Sequence, residues 1–106
     1  MEHNLEQAVP APVRETCRRL GIPYMALPSE MPRPEVARLL PQDIARRYRA
    51  IPVAQEDGRL TVAMAEPHRA DLVSALAAVL GQPIFPVLSA AEEIDIALAR
   101  LAIHSP

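Results

Sequence analysis

Two short apolar runs separated by a polar turn are the sequence feature that most constrains the fold. Residues 51–55 (IPVAQ) and 60–65 (LTVAMA) flank the turn, and Asp57-Gly58 stands at its centre. Asp-Gly between apolar runs favours a two-residue turn with positive φ at both positions, which matches the twist of paired strands. The sequence therefore predicts an antiparallel β-hairpin here.

A helix and a third strand are predicted after the hairpin. Apolar residues recur at helical spacing over residues 69–80, and Gly81 follows as a stop signal. Residues 84–88 (IFPVL) form a strand candidate, in which Pro86 favours an edge position or a bulge because proline has no N–H to donate. This strand is expected to run parallel to the second hairpin strand if the two are neighbours in one sheet.

The last predicted helix opens at Ser89 and runs to about residue 103. Ser89 and Glu92 have the spacing of a capping box. Glu92, Glu93 and Asp95 also resemble a set of carboxylates for acid-base chemistry. Acidic residues in a first helical turn complement the helix dipole, so we interpret them as part of the cap.

Short helices are predicted before the hairpin. Residues 13–20 have apolar side chains at helical spacing and end at a glycine, and residues 22–27 are apolar and extended. Pro34 suits the first position of a helix over residues 34–40. A proline interrupts that helix, and residues 42–49 form a second, amphipathic one.

The element order defines an α+β fold, in which short N-terminal helices precede a β-β-α-β-α unit with a small mixed three-stranded sheet. A chain of 106 residues accommodates one domain of this kind. We expect residues 1–12 to be a flexible lead-in, residues 13–103 to form the domain and residues 104–106 to be a tail.

Composition excludes several classes of function. The chain has no lysine and only 3 widely spaced glycines, so it has neither a P-loop nor a dinucleotide fingerprint. The formal charge of −2 argues against a nucleic-acid partner. No apolar run is long enough to span a bilayer, and the single cysteine excludes an internal disulfide, so a reducing cytoplasm is expected.

Candidate metal ligands and nucleophiles are isolated in the sequence. His3, His68 and His104 are far apart, so no metal or other cofactor is expected. Cys17 lies on the apolar side of its helix, which is typical of a buried structural thiol. His68 follows Glu66 and Pro67 in a turn, and we interpret that turn as structural. We predict that the chain is not an enzyme.

Arginine clusters are the candidate binding residues. Arg46, Arg47 and Arg49 are predicted to lie on the polar side of their helix, and Arg18 and Arg19 lie in the first helix, where Arg14 could extend a second basic edge. Guanidinium groups bind carboxylates and phosphates in bidentate geometry. The alternative is a solvated face without a ligand.

Three segments carry a family resemblance. Residues 20–24 (LGIPY), 40–53 (LPQDIARRYRAIPV) and 60–67 (LTVAMAEP) resemble, in this order and spacing, the GspE/MshE-type N-terminal domain of type II secretion and type IV pilus ATPases. The resemblance covers about residues 14–101. It implies a bacterial domain that precedes a RecA-like motor and docks on membrane-platform components, such as the cytoplasmic domain of the protein that anchors the ATPase to the inner membrane. No motor is present in this sequence.

Some family members bind cyclic di-GMP through a tandem motif that begins Arg-Leu-Gly and ends at a glutamine. Arg19-Leu20-Gly21 begins like one copy, and Gln42 falls at its closing position. The interior departs from the motif, with Glu35 in place of an apolar residue and Pro28 in place of a glycine, and no second copy is present. Cyclic di-GMP is therefore expected to be an unlikely ligand, and no ligand residues are carried over.

Two functional hypotheses follow. In the first, a protein partner contacts the first helix and the face of Arg46, Arg47 and Arg49, which places the chain in the cytoplasm beside the inner membrane without inserting into it. In the second, the chain senses a nucleotide second messenger through arginines 18, 19, 46 and 47.

Overall fold

The computed structural model describes residues 11–27 and 31–103. Within them lie five helices and a three-stranded sheet. In chain order they are α1 Ala11–Leu20, α2 Pro34–Ala37, α3 Gln42–Tyr48, β1 Ala50–Glu56, β2 Arg59–Met64, α4 Ala70–Leu80, β3 Ile84–Leu88 and α5 Ala91–Ile103. The predicted α+β class and element order are confirmed. The predicted lead-in and tail lie mostly outside the described residues, so those boundaries stay predictions.

The hairpin forms as the Asp-Gly signal predicts. Strands β1 and β2 pair in antiparallel fashion, and the register closes on Glu56 opposite Arg59. Asp57 has φ +52° and Gly58 has φ +75°, so both loop residues adopt the left-handed region that a tight hairpin turn requires. The register shifts between Pro52 and Ala54, which marks a bulge in β1.

Strand β2 lies at the centre of the sheet, which has the order β1-β2-β3. It pairs in parallel with β3, from Leu60 opposite Ile84 to Met64 opposite Leu88. Residues 62–64 alternate between the two faces of the sheet and are all completely buried. Both faces are therefore covered at this end of β2, as expected for a strand in a βαβ unit.

The extended segment before α2 joins the other side of β3. Tyr24 forms an isolated parallel bridge with Leu88. The Leu88 N–H donates to the Pro23 carbonyl and the Met25 N–H donates to the Leu88 carbonyl, both at 2.8 Å. Among the named strands β3 stands at the end of the order, so Pro86 occupies an edge strand, as predicted.

The capping box of α5 lies one position later than predicted, at Ala90 and Glu93. The helix begins at Ala91, and the Glu93 carboxylate accepts a hydrogen bond from the Ala90 N–H at 3.2 Å. Ser89 is completely buried, and its hydroxyl donates to the Met25 carbonyl at 2.6 Å. The predicted pairing of Ser89 with Glu92 was wrong because Ser89 is used in a long-range contact.

The remaining helices follow the predicted pattern with shifted ends. Helix α1 begins at Ala11, two residues before the predicted start at residue 13. Helix α2 begins at Pro34 as predicted but ends at Ala37. Gly81, with φ +71°, ends α4, and its N–H donates to the Ala77 carbonyl at 2.8 Å.

Small and medium aliphatic side chains form the core between the sheet and the helices. Leu60, Met64, Leu76 and Ile94 are completely buried and belong to one contiguous cluster. They come from β2, α4 and α5, so these elements pack into one core.

Candidate functional site

Helix α3 presents the arginine cluster as the sequence predicts. Ala45 is buried on the inner side of the helix, whereas Arg46, Arg47 and Arg49 are exposed. Arg49 is the C-cap and has a left-handed backbone, with φ +49°. The turn at Arg49 leads directly into β1, so the cluster lies where α3 meets the sheet.

An open groove of about 630 Å³ lies beside this cluster. We call it the basic groove. It is lined by Arg47, Tyr48, Arg49, Ala65, Glu66, His68, Arg69, Leu72, Leu88, Ser89, Ala90 and Ala91. Ala65 follows β2 and Ser89 follows β3, so the groove lies at the carboxyl ends of the two parallel strands. Crevices at this edge are the usual ligand sites of parallel sheets.

The connection from β2 to α4 adds basic groups to the groove. Arg69 forms ion pairs with Glu66 at 3.2 Å and with Asp71 at 2.7 Å. The hydrogen bond that Arg69 donates to Asp71 lowers the pKa of the Asp71 carboxyl. The hydrogen bonds to Asp71 and Glu66 raise the pKa of Arg69. These groups are exposed, so the pairs contribute little stability. The exposed His68 lies on the same wall.

The amino terminus of α5 also lines the groove. Ala90 and Ala91 line the groove, and the Glu93 carboxylate that caps the helix also accepts a hydrogen bond from the Tyr24 hydroxyl at 2.7–2.8 Å. Asp95, two residues further along α5, lies 3.6 Å from the guanidinium of Arg49. Two of the three predicted carboxylates thus have structural roles in this arrangement.

Of the two predicted arginine clusters, the one on α3 contributes to the groove and the one on α1 does not. No described residue of α1 lines the groove. Arg18 and Arg19 are exposed, and Arg18 pairs with Glu15 within α1 at 3.3 Å. Arg47 and Arg49 instead line the groove together with His68 and Arg69. The sequence analysis interpreted His68 as part of a structural turn and did not single out Arg69. Their position just after β2 was the available signal, because that end of a parallel strand often carries ligand groups.

Cys17 is partly buried, and burial raises the pKa of its thiol. A raised pKa lowers the thiolate fraction near neutral pH, and the thiolate is the reactive form. We expect iodoacetamide to modify Cys17 more slowly in the folded chain than in the same chain in guanidinium chloride at the same pH. Mass spectrometry against time measures both rates. Equal rates, or faster modification in the folded chain, would contradict the assignment of a structural thiol.

The family model of the MshEN domain matches residues 20–105. This match covers most of the chain. The chain belongs to the MshEN domain family. The predicted resemblance to GspE/MshE-type N-terminal domains is thereby confirmed, and residues of the basic groove lie within the matched MshEN segment.

Solved structures agree with the MshEN assignment. A structure of MshE with cyclic di-GMP (cdg) superposes with a TM-score of 0.78 at 22% identity, over 85% of this chain and 66% of that one. The N-terminal domain of XpsE superposes in two crystal forms, with TM-scores of 0.71 and 0.69 at 24% and 26% identity. The first covers 90% of this chain and 65% of that one, and the second covers 81% and 62%. The MshEN chain thus spans just under two thirds of each solved chain.

Curated protein sequences give no match. Among the helices in the described part of the chain, none is long and apolar enough to cross a bilayer.

Proposed function

We propose that this MshEN domain is a non-catalytic protein-interaction module of the type found at the N-terminus of type II secretion and type IV pilus ATPases. It docks on a partner protein through the exposed arginine face of α3. The partner is the cytoplasmic domain of a platform protein at the inner membrane, which places the chain on the cytoplasmic side. Residues 13–103 form the docking unit. Membership of the family supports this proposal.

One observation carries the proposal. Within the part of the chain that the structure describes, Arg46 and Arg47 have no ion pair although both are exposed. Arginine is enriched in protein interfaces because its planar group binds carboxylates and also packs on apolar surface. The unpaired guanidinium groups on a rigid helix are therefore available to a partner with complementary charge.

Titration of the chain with the cytoplasmic platform domain encoded in the same genome tests the docking proposal. We expect binding that weakens at least about tenfold when Arg46 and Arg47 are both changed to Glu, because charge-assisted contacts become repulsive. Arg33→Glu is the control, since Arg33 is exposed but precedes α2. Absence of binding by the unmodified chain would overturn the proposal.

Cyclic di-GMP sensing is the second candidate, because the MshE structure that superposes on this chain was solved with that nucleotide. This likeness weighs against the prediction that cyclic di-GMP is an unlikely ligand. The position of Gln42 weighs the other way, since its side-chain amide donates to the Leu98 carbonyl at 2.8 Å. The glutamine at the closing position of the motif is thus engaged inside the fold.

Calorimetry with cyclic di-GMP distinguishes the two candidates. Micromolar binding that is lost on Arg19→Ala would support the nucleotide-sensing function. Protein docking would then explain only part of what the domain does. No heat of binding would remove the sensor. Arg33→Ala is the control, because Arg33 is exposed and is not among the arginines assigned to the nucleotide.

A further inference from the structure

We propose that the basic groove is the part of the surface that receives the partner, and that its occupant is a short acidic segment of the partner protein with an apolar side chain between its carboxylates. This inference rests on the proposed docking function and deepens it. It moves the docking site from the whole arginine face of α3 to the side of α3 that carries Arg47 and Arg49.

The charge of the groove selects an acidic ligand. Arg47, Arg49 and Arg69 line it with a single carboxylate, that of Glu66. Asp71 and Asp95 pair with Arg69 and Arg49 from outside the lining. Arg47 has no ion pair within the described residues, so it is a positive group free to bind an anion on a chain of formal charge −2. Such a site attracts carboxylates and orients their approach.

The ion pairs in the groove engage Arg69 on both Glu66 and Asp71 but leave Arg47 and Arg49 accessible. Arg47 has no ion pair within the described part of the chain. The contact of Arg49 with Asp95 is long, at 3.6 Å, and both side chains are about half exposed. Exposed pairs of this kind are weak and exchange readily for a better partner. An incoming carboxylate can therefore bind Arg47 and displace Asp95 from Arg49.

The floor of the groove is apolar. Leu88 is buried and Leu72 is half-buried, and the ring of Tyr48 and the methyl groups of Ala65 and Ala91 also line the groove. Its volume of about 630 Å³ falls within the range of sites that bury a small ligand or a few side chains, roughly 300–1,000 Å³. A segment that alternates acidic and apolar residues fits both the rim and the floor.

The groove favours a carboxylate over a phosphate ligand. Phosphate cradles use closely spaced backbone N–H groups in glycine-containing loops, and none of the chain's 3 glycines lines this groove. The amino terminus of α5 opens at the groove beside Ala90 and Ala91, and its partial positive charge adds to the attraction of an anion. The Ala90 N–H is already bonded to Glu93. The helix end therefore adds a positive potential to the groove but does not form a phosphate-binding site.

The experiment uses a probe of defined composition. An eight-residue peptide of alternating Glu and Leu, blocked at both ends, is titrated into the ¹⁵N-labelled chain, with a Gln and Leu peptide as the matched probe. We expect amide shifts confined to residues 47–49, 65–72 and 88–91 for the Glu peptide and at least about tenfold weaker binding of the Gln peptide. Equal binding of the two peptides, or shifts centred elsewhere, would overturn the inference.

A pair of neighbouring variants tests the position of the site. Arg47→Glu is expected to weaken both the Glu peptide and the platform domain by about tenfold or more, and Arg46→Glu by less than about twofold. Both residues are exposed on α3, but only Arg47 lines the groove. Arg47→Ala repeats the test without charge reversal, and circular dichroism checks the fold of each variant.

The outcomes separate the inference from the proposed function. If the platform domain binds and both charge reversals weaken it equally, the groove is overturned as the site and docking stands. If the platform domain does not bind the unmodified chain, the proposed function falls whichever peptide binds. Displacement of the Glu peptide by micromolar cyclic di-GMP would assign the groove to a phosphate ligand and overturn the acidic segment.

Discussion

Leu76→Ala is expected to lower the free energy of unfolding by about 2–5 kcal/mol, the range for truncating a fully buried leucine. Leu76 is completely buried in α4 and belongs to the main core cluster. The substitution removes apolar contact and leaves a cavity that close-packed neighbours fill only in part. Since a domain of this size has a total stability of about 5–15 kcal/mol, the loss is a large part of the whole. Urea denaturation followed by circular dichroism measures it.

Val79→Ala on the same helix is the control for Leu76→Ala. The Val79 side chain is 48% exposed, although the apolar spacing over residues 69–80 placed it with the buried stripe. We expect a change within about 0.5 kcal/mol, as is usual for a surface position, because alanine also has the better helix propensity. A larger loss for Val79→Ala than for Leu76→Ala would contradict the packing of α4 described above.

The hairpin and the order of elements could be predicted because their signals are local. Asp57-Gly58 selects a two-residue turn from its own backbone preferences, and Gly81 ends α4 in the same way. Periodicity likewise placed Arg46 and Arg47 on the exposed side of α3. Each of these features depends on residues within a few positions of one another.

Contacts between distant segments could not be predicted in the same way. Ser89 has the local spacing of a capping residue, yet its hydroxyl bonds the Met25 carbonyl, 64 positions away in sequence. A serine can cap a helix or satisfy a buried carbonyl, and only the tertiary structure decides which. Glu93 therefore replaces Glu92 as the capping carboxylate.

The basic groove has the same origin. Arg47 and Arg49 formed a visible cluster. The antiparallel pairing of β1 with β2 sets Ala50 opposite Met64, which brings the residues after β2, His68 and Arg69, to the same groove. The residues after β3 are added by the parallel pairing of Met64 with Leu88, which no local sequence spacing encodes. The sequence thus predicted half of the groove and assigned the other half to a turn.

Tyr24→Phe is expected to lower the free energy of unfolding by about 1.5–3 kcal/mol, the range for a hydrogen bond to a charged group. The Tyr24 hydroxyl donates to both oxygens of Glu93 at 2.7–2.8 Å in a partly buried position. Glu93 also caps α5 through the Ala90 N–H. One carboxylate therefore joins the segment beside β3 to the helix whose amino terminus lines the groove, and loss of the hydroxyl weakens that link.

Tyr48→Phe is the matched control, because within the described residues the Tyr48 hydroxyl makes no hydrogen bond and its ring is only partly buried. It is expected to change the stability by less than about 0.5 kcal/mol. A double-mutant cycle with Glu93→Gln isolates the contact, and we expect a coupling energy of about 0.5–3 kcal/mol. Purely additive losses would mean that the Tyr24 hydroxyl stabilises the fold independently of Glu93. Tyr24→Phe would then leave the cap of α5 intact, and the amino terminus of that helix would be held at the groove by Glu93 and the Ser89 contact without the tyrosine.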